Sequence, residues 1–333
     1  MNSFPSISVI VPVYQVADYI GSCLASVAGQ DYPGRLECIV VDDCGSDNSM
    51  EIVRDFIEGY SGGVAFIQLS HERNRGLSAA RNTGMAHAGG DYIFFLDSDD
   101  ELAPGALKGL AEPLVDKRFD IVAGRVVSVG SDVDYNCRYQ AGTVLSGREV
   151  MDAYAGYRIN AMACNKLYRR QLLLDNGMAF YEGVIHEDEL WSFELSLVAR
   201  SLLVSGVESY IYRFRAGSIT GNQRLPERIG SLQVIFREMC AYADGKGLLC
   251  DAVVHAKTER FRRMILRQLL GDWKWFRKEY VRQRKEAPKK WGICLKANGF
   301  RLKKQLRDLH LALPAAPGAA YLYGWLALEK EFA

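Results

Sequence analysis

Residues 89–102 read GGDYIFFLDSDDEL, and this stretch decides the fold. Its apolar run, Tyr92 to Leu96, empties directly into Asp97, Ser98, Asp99 and Asp100. A short apolar segment bounded by turn residues is the pattern of a strand buried on both faces. Carboxylates crowded at its end repel one another and disfavour their own ionisation, so positive charge is expected beside them. A hard divalent cation suits that place: magnesium and manganese take one or two carboxylates, keep several waters and share the phosphates of a substrate. By itself the D-x-D spacing also suits a solvated acidic loop, and the neighbouring elements have to decide.

Those neighbours repeat the pattern. ISVIVPVY (7–14), LECIVVDD (36–43) and VAFIQLS (64–70) read as three further strands. Between them run helical segments. VADYIGSCLASVAGQ places Ile20, Leu24 and Val27 on one face, with Asp18 as its N-cap. SDNSMEIVRDFIEGY is opened by Ser46 or Asp47 and turns Ile52, Phe56 and Ile57 inward, and GLSAARNTGMAHA follows as a third helix. Alternation at this spacing predicts an α/β fold with a doubly wound sheet. Such sheets bind ligands at the carboxyl ends of their strands, where Pro12–Tyr14, Asp42–Asp43 and Asp97–Asp99 all fall. A nucleoside diphosphate fits this rim. Pro12, Val13 and the Tyr14 ring offer a base pocket, Asp43 accepts from a base N–H, and Arg81 pairs with phosphate oxygens.

Farther on, FDIVAGRVVSVG reads as a strand, EDELWSFELSLVAR as a helix and VSGVESYIYRFR as a strand leading into AGSIT. From about residue 226 the pattern is helical, with Phe261, Ile265, Leu269, Trp273, Phe276 and Tyr280 along one amphipathic face. The net charge of +1 hides an asymmetry. Residues 255–310 carry 18 Lys and Arg against 5 Asp and Glu, so this segment is +13 and the remainder −12. A basic amphipathic segment of this kind is suited to an anionic membrane surface. Binding to nucleic acid and packing on the chain's own catalytic region are the alternatives, and nothing in the first 220 residues favours nucleic acid. Residues 311–328 are uncharged but hold two prolines and two glycines, which makes them a poor spanning helix. No basic leader with a small-residue cleavage site opens the chain, and none of the 8 cysteines forms a C-x-x-C pair. The expectation is a reduced, cytoplasmic protein, peripheral on the inner face of the membrane, with no nucleic-acid partner. The lack of G-x-G-x-x-G after the first strand argues against a dehydrogenase, and the lack of G-x-x-x-x-G-K-[ST] against a phosphate-loop NTPase.

Taken in order, SVIVPVYQVADYIGSCLASVAGQDY, IVVDDCGSDNS, NRGLSAARNTGMAHAGGDYIFFLDSDD and HEDELWSFEL resemble glycosyltransferase family 2 over roughly residues 5–220. The resemblance implies a GT-A fold, a Rossmann-like, mostly parallel sheet, with a mainly helical extension. It implies a catalytic domain over residues 1–224 (nucleotide-sugar half about 1–125, acceptor half about 126–224) and a basic helical region over 225–333. The implied activity is inverting transfer from a nucleotide sugar, taken here as a UDP-sugar, to a glycan or lipid-linked hydroxyl in surface or exopolysaccharide synthesis. The alternative is a degenerate nucleotide-sugar-binding protein, against which Asp97, Asp99 and Asp188 stand intact. By the family pattern Asp43 meets the base, Asp97 the ribose or sugar side, and Asp99 the Mn2+ or Mg2+ ion; Ser98 is counted with the nucleotide-sugar-binding residues and Asp97 as a second metal ligand. Asp188 is the catalytic base, with Glu187 as its substitute. Lys166, Arg213, Arg215 and Ser218 are expected to form a lid or to touch phosphate. Gln15 departs from the pattern, which has Asn there.

Overall fold

The computed structural model describes residues 3–214, 224–286, 291–298 and 301–331. These fall in two compact units, Met1–Gly183 with Glu187–Gln223, and Val184–His186 with Arg224–Ala333.

Among the described residues, the first unit is built on a nine-stranded sheet. β1 (Ile7–Val13), β2 (Leu36–Asp42), β3 (Ala65–Ser70) and β4 (Tyr92–Phe95) run parallel in the order β3-β2-β1-β4. They are linked by α1 (Ala17–Ala28), α2 (Ser49–Gly59) and α3 (Leu77–His87). All of β1 and β4 is buried, as their continuous apolar runs require. Two glycines let the layers close. A Cβ on Gly90, at the head of the opening stretch, would lie 2.6 Å from the Ser8 nitrogen, and one on Gly84 of α3 would lie 2.4 Å from the Ile10 side chain.

The order continues β4-β8-β6-β9-β5. Here β5 is Glu101–Leu102, β6 is Ile121–Val129, β8 is Lys166–Arg169 and β9 is Ser201–Arg213, while β7 (Val144–Ser146) pairs with β9. β8 is antiparallel to both β4 and β6, and six of the nine strands point one way. The helices α4 (Ala106–Ala111), α5 (Arg148–Ala155), α6 (Arg170–Asp175) and α7 (Glu187–Val198) complete this unit.

The expected cap on α1 is not the observed one. Asp18 lies in the first turn and makes no capping bond. Instead the Val16 and Ala17 N–H groups donate to Ser49 Oγ (2.9 Å) and Asp47 Oδ2 (3.0 Å), from the segment that opens α2. A distant hydroxyl and carboxylate satisfy the same orphan donors that a local cap would.

The second unit is helical: α8 (Leu225–Gly245), α9 (Ala252–Arg267), α10 (Trp273–Glu286), α11 (Trp291–Asn298), α12 (Leu302–Asp308) and α13 (Ala315–Glu331). The single long helix read from residues 261–280 is two helices, broken around Gly271, whose φ of +112° suits glycine alone. The apolar face is interior: Phe261, Ile265, Leu269, Phe276 and Tyr280 are buried, and only Trp273 of that series is exposed. Among the described residues, no helix is long and apolar enough to cross a membrane.

Candidate active site

The opening stretch delivers Asp97 just beyond β4, and α3 delivers Arg81 beside it. Arg81 is buried and grips two carboxylates at once: Nη2 donates to Asp97 Oδ1 and Nη1 to Glu187 Oε1, each at 2.7 Å. Its guanidinium lies 5.1 Å over the Phe180 ring, which stacks on Trp191 of α7 at 4.1 Å. A cation held on an aromatic face and forked to two acids is rigid. Arg81 is therefore engaged inside the protein, where the sequence reading had it on phosphate. Much of the positive charge demanded by the acidic strand end comes from α3.

The remaining acids divide by environment. Asp97 is partly exposed, and its Oδ2 accepts from the Cys164 thiol at 3.2 Å. Asp99 is partly exposed and Ser98 is buried. Asp100 is buried, accepting from Tyr210 Oη at 2.6 Å and the Arg213 N–H at 2.7 Å. Burial, reinforced by the charges of Asp97 and Asp99, pushes Asp100 up to about 8. Asp100 is thus a buried structural group that favours its neutral form, whereas Asp97 and Asp99 keep partly exposed carboxylates, the oxygen-donor type that suits magnesium or manganese.

Asp188 follows Glu187 in the first turn of α7, where three acids meet the positive end of the helix dipole. Burial, together with the charges of Glu187 and Glu189, raises Asp188 to about 8 against the pull of Arg81. A carboxylate poised near the working pH is what general-base chemistry requires.

At the other end of the rim, Pro12 and Val13 are buried in β1, and Tyr14 beyond them is 45% exposed. Asp42 caps its own turn, accepting from Cys44 N–H at 2.9 Å. Asp43 is buried and binds the chain itself. Its Oδ1 contacts His71 Nδ1 at 2.7 Å and accepts from Arg75 N–H at 2.8 Å, and its Oδ2 accepts from Gly76 N–H at 2.7 Å. Gln15 adopts φ +52°, a left-handed value that asparagine takes more readily, and its amide donates to Ser46 Oγ.

One lid assignment is corrected. Lys166 is fully buried in β8, and its ammonium donates to Asn160 Oδ1, the Met162 carbonyl and Asn165 Oδ1 at 2.7–3.0 Å. With all its donors used and no exposure, it is an interior support; burial lowers it to about 8. Arg213 ends β9 and pairs with Glu101 at 2.6 Å. Arg215 and Ser218 lie outside the described residues. The sequence reading missed Cys164, His71 and Tyr210. Of these only Tyr210 had a signal, its inward phase in the alternating SYIYR strand.

A second acidic cluster lies in the helical unit, where Glu259, Asp308 and His310 bring ligand-type atoms within 4.8 Å of one another. Its charge is already balanced. Arg262 lies 3.3 Å from Glu259, and Arg307 and Arg263 lie 2.8 and 3.7 Å from Asp308. Burial pushes His310 down to about 3, so it is neutral. Three guanidinium groups around two carboxylates leave no deficit for a cation to fill.

The architecture is that of GT-A proteins. The crystal structure of Staphylococcus aureus TarS 1-349 in complex with UDP-GlcNAc superposes with a TM-score of 0.73 at 20% identity, covering 98% of this chain and 92% of that one. The sequence carries the relationship to the family level. Residues 8–177, just over half of the chain, match the model of glycosyl transferase family 2, and the chain belongs to that family. Among curated proteins, the uncharacterized glycosyltransferase YibD of Escherichia coli is 28% identical over 226 residues, 64% of this chain and 62% of YibD. The chain thus spans less than two thirds of that relative's length. The uncharacterized glycosyltransferase EpsJ of Bacillus subtilis is 30% identical over 250 residues, 73% of this chain and 71% of EpsJ.

Proposed function

We propose that the protein is an inverting glycosyltransferase that moves a sugar from a UDP-sugar to a hydroxyl of a glycan or lipid-linked acceptor, in surface or exopolysaccharide synthesis. The observation that carries this reading is the Arg81 fork. One guanidinium ties the donor-side acid Asp97 to Glu187, the immediate neighbour of Asp188. Two loops far apart in sequence are thereby held so that a nucleotide sugar on the D-x-D side would meet a base on the other. The UDP-GlcNAc complex of TarS supports the choice of donor.

In this mechanism Asp188 accepts the proton of the acceptor hydroxyl as its oxygen attacks the anomeric carbon. Attack comes from the face opposite the nucleoside diphosphate, so the configuration inverts, by the same geometry that inverting glycosidases use with water. The bond from the anomeric carbon to the phosphate oxygen breaks, and the electron pair leaves with the diphosphate. Asp99 and Asp97 would hold a magnesium or manganese ion, which when bound neutralises charge on the leaving group. Arg81 orients Asp97 for that task through its hydrogen bond to Oδ1. The raised position of Asp188 makes it a stronger proton acceptor than an exposed aspartate once it is ionised.

We assign the anionic-membrane contact to the outer face of α10. Lys274, Arg277, Lys278, Arg282 and Lys285 line a trough there, with Trp273 and Val281. Since the aromatic face behind it is buried except at Trp273, binding is mainly electrostatic and falls steeply with salt. Co-sedimentation with phosphatidylserine vesicles at low and moderate salt tests this, and protein that stays in the supernatant at low salt refutes it.

The central test is a thermal-shift screen of nucleotide sugars with Mn2+. A donor at about 100 times its Kd adds roughly 2.7 kcal/mol. If no nucleoside diphosphate sugar stabilises the protein with either cation, the reading is wrong.

A further inference from the structure

Asp43 makes contacts that limit what it can still bind. A carboxylate offers about four lone-pair positions. Among the described residues, Oδ1 takes two contacts, from His71 Nδ1 and Arg75 N–H, and Oδ2 takes one, from Gly76 N–H. One acceptor position is left, on Oδ2. His71 is placed so that its share is permanent. Its side chain is 5% exposed, and its far nitrogen Nε2 lies 2.9 Å from Thr83 Oγ1 on α3. A carboxylate only accepts, so Nδ1 carries the proton. In the neutral ring, Nε2 then accepts from the Thr83 hydroxyl, and the outer partner fixes the tautomer of the inner one.

We propose that His71 is a specificity-determining residue of the nucleotide pocket: by occupying the second position on Asp43 Oδ1, it restricts that pocket to a base presenting a single ring N–H, a uracil, and rejects guanine. The inference rests on reading Asp43 as the acceptor for the base. Uracil offers one N–H, at N3, between two carbonyl oxygens, and needs one lone pair. Guanine offers adjacent donors at N1 and N2 that pair with a carboxylate through both oxygens, and Oδ1 is full. Adenine and cytosine place a ring-nitrogen acceptor beside their amino group, which faces the carboxylate repulsively. A site whose acceptors match the donors of one base discriminates strongly, because the wrong base buries unpaired groups.

The experiment is calorimetric titration of the full chain with UDP and with GDP, each with Mn2+. It compares the unaltered protein with His71→Ala, His71→Asn and Thr83→Val. Asparagine keeps an N–H near the place of Nδ1, whereas alanine frees the lone pair. The unaltered protein is expected to bind UDP at least about tenfold tighter than GDP, the loss typical of an unmatched hydrogen-bonding group being of that size or larger. His71→Ala should weaken UDP binding and bring the UDP:GDP ratio within about threefold. His71→Asn should retain the preference, and Thr83→Val should shift it partway toward that of His71→Ala. A change in ratio, as opposed to a common loss for both nucleotides, is what a merely structural histidine would not produce. The proposal is overturned if His71→Ala keeps the ratio, if both nucleotides weaken equally in His71→Ala and His71→Asn, or if the unaltered protein prefers GDP. If the unaltered protein binds neither nucleotide, the donor-site reading fails and takes this inference with it.

Discussion

Replacing Arg81 with methionine tests the central feature of the site. Methionine keeps much of the packing volume on Phe180 but strands two carboxylates. Glu187 has only 10% of its side chain exposed and Asp97 has 31%, so Glu187 bears most of the cost. Removing one partner of a buried pair costs about 3–5 kcal/mol, because the charge left behind is uncompensated. For a unit of this size, each kcal/mol lowers Tm by about 2–4 °C, so a drop of about 6–20 °C is expected. The loss has a pH signature. A stranded buried carboxylate takes up a proton as pH falls, which removes the penalty, so the deficit against the unaltered protein is largest near pH 8 and shrinks toward pH 5. Arg81→Lys should fall between, since one ammonium does not span both acids. Urea unfolding read by hydrogen exchange of peptides from α3 and β4 reports the first unit alone. A deficit below about 1 kcal/mol at pH 8, or one that does not vary with pH, would refute the counter-ion role.

Three further outcomes are expected. Asp188→Asn should leave donor affinity unchanged and reduce kcat by about 10² to 10⁴. In the unaltered protein kcat/KM should rise with pH through about 8, and that limb should vanish in the variant; an inactive Glu187→Gln beside an active Asp188→Asn would move the base by one residue. Asp99→Ala should abolish cation-dependent donor binding in a titration with and without Mn2+, and unchanged affinity would place the ion elsewhere. Asp100 has a folded pKa raised from 3.8 to about 8, so between those values the native state holds a proton that the unfolded state has lost, and stability declines as pH rises. The slope is at most about 1.4 kcal/mol per pH unit. Asp100→Asn, which offers an oxygen to Arg213 N–H and an N–H to the Tyr210 hydroxyl, should remove the slope and melt higher than the unaltered protein at pH 8, but not at pH 4.

The parallel strands β1 to β4, together with β6 and β9, and the rim at their carboxyl ends are legible in the amino-acid pattern alone. β1, β2 and β4 are apolar runs buried on both sides, and a run of this kind, broken by helical periodicity, has few other places to go. Because parallel strands align their carboxyl ends, Tyr14, Asp43 and Asp97 were legible as neighbours from order alone. How the charges are shared follows only from the folded arrangement. Arg81 and Glu187 are 106 residues apart, and no local pattern shows that one guanidinium serves both Glu187 and Asp97. Lys166 looked like a loop cation because KLYR is too short to announce a strand, and only its insertion between β4 and β6 buries it. The face from Phe261 to Tyr280 has the right period for a helix, but periodicity does not say whether it meets lipid or protein, and neighbouring helices cover it. Local pattern fixes which side of an element is apolar. The partner of a buried charge depends on which distant groups the fold brings within about 3 Å, since hydrogen-bonded ion pairs act only at that range and burial sets their strength.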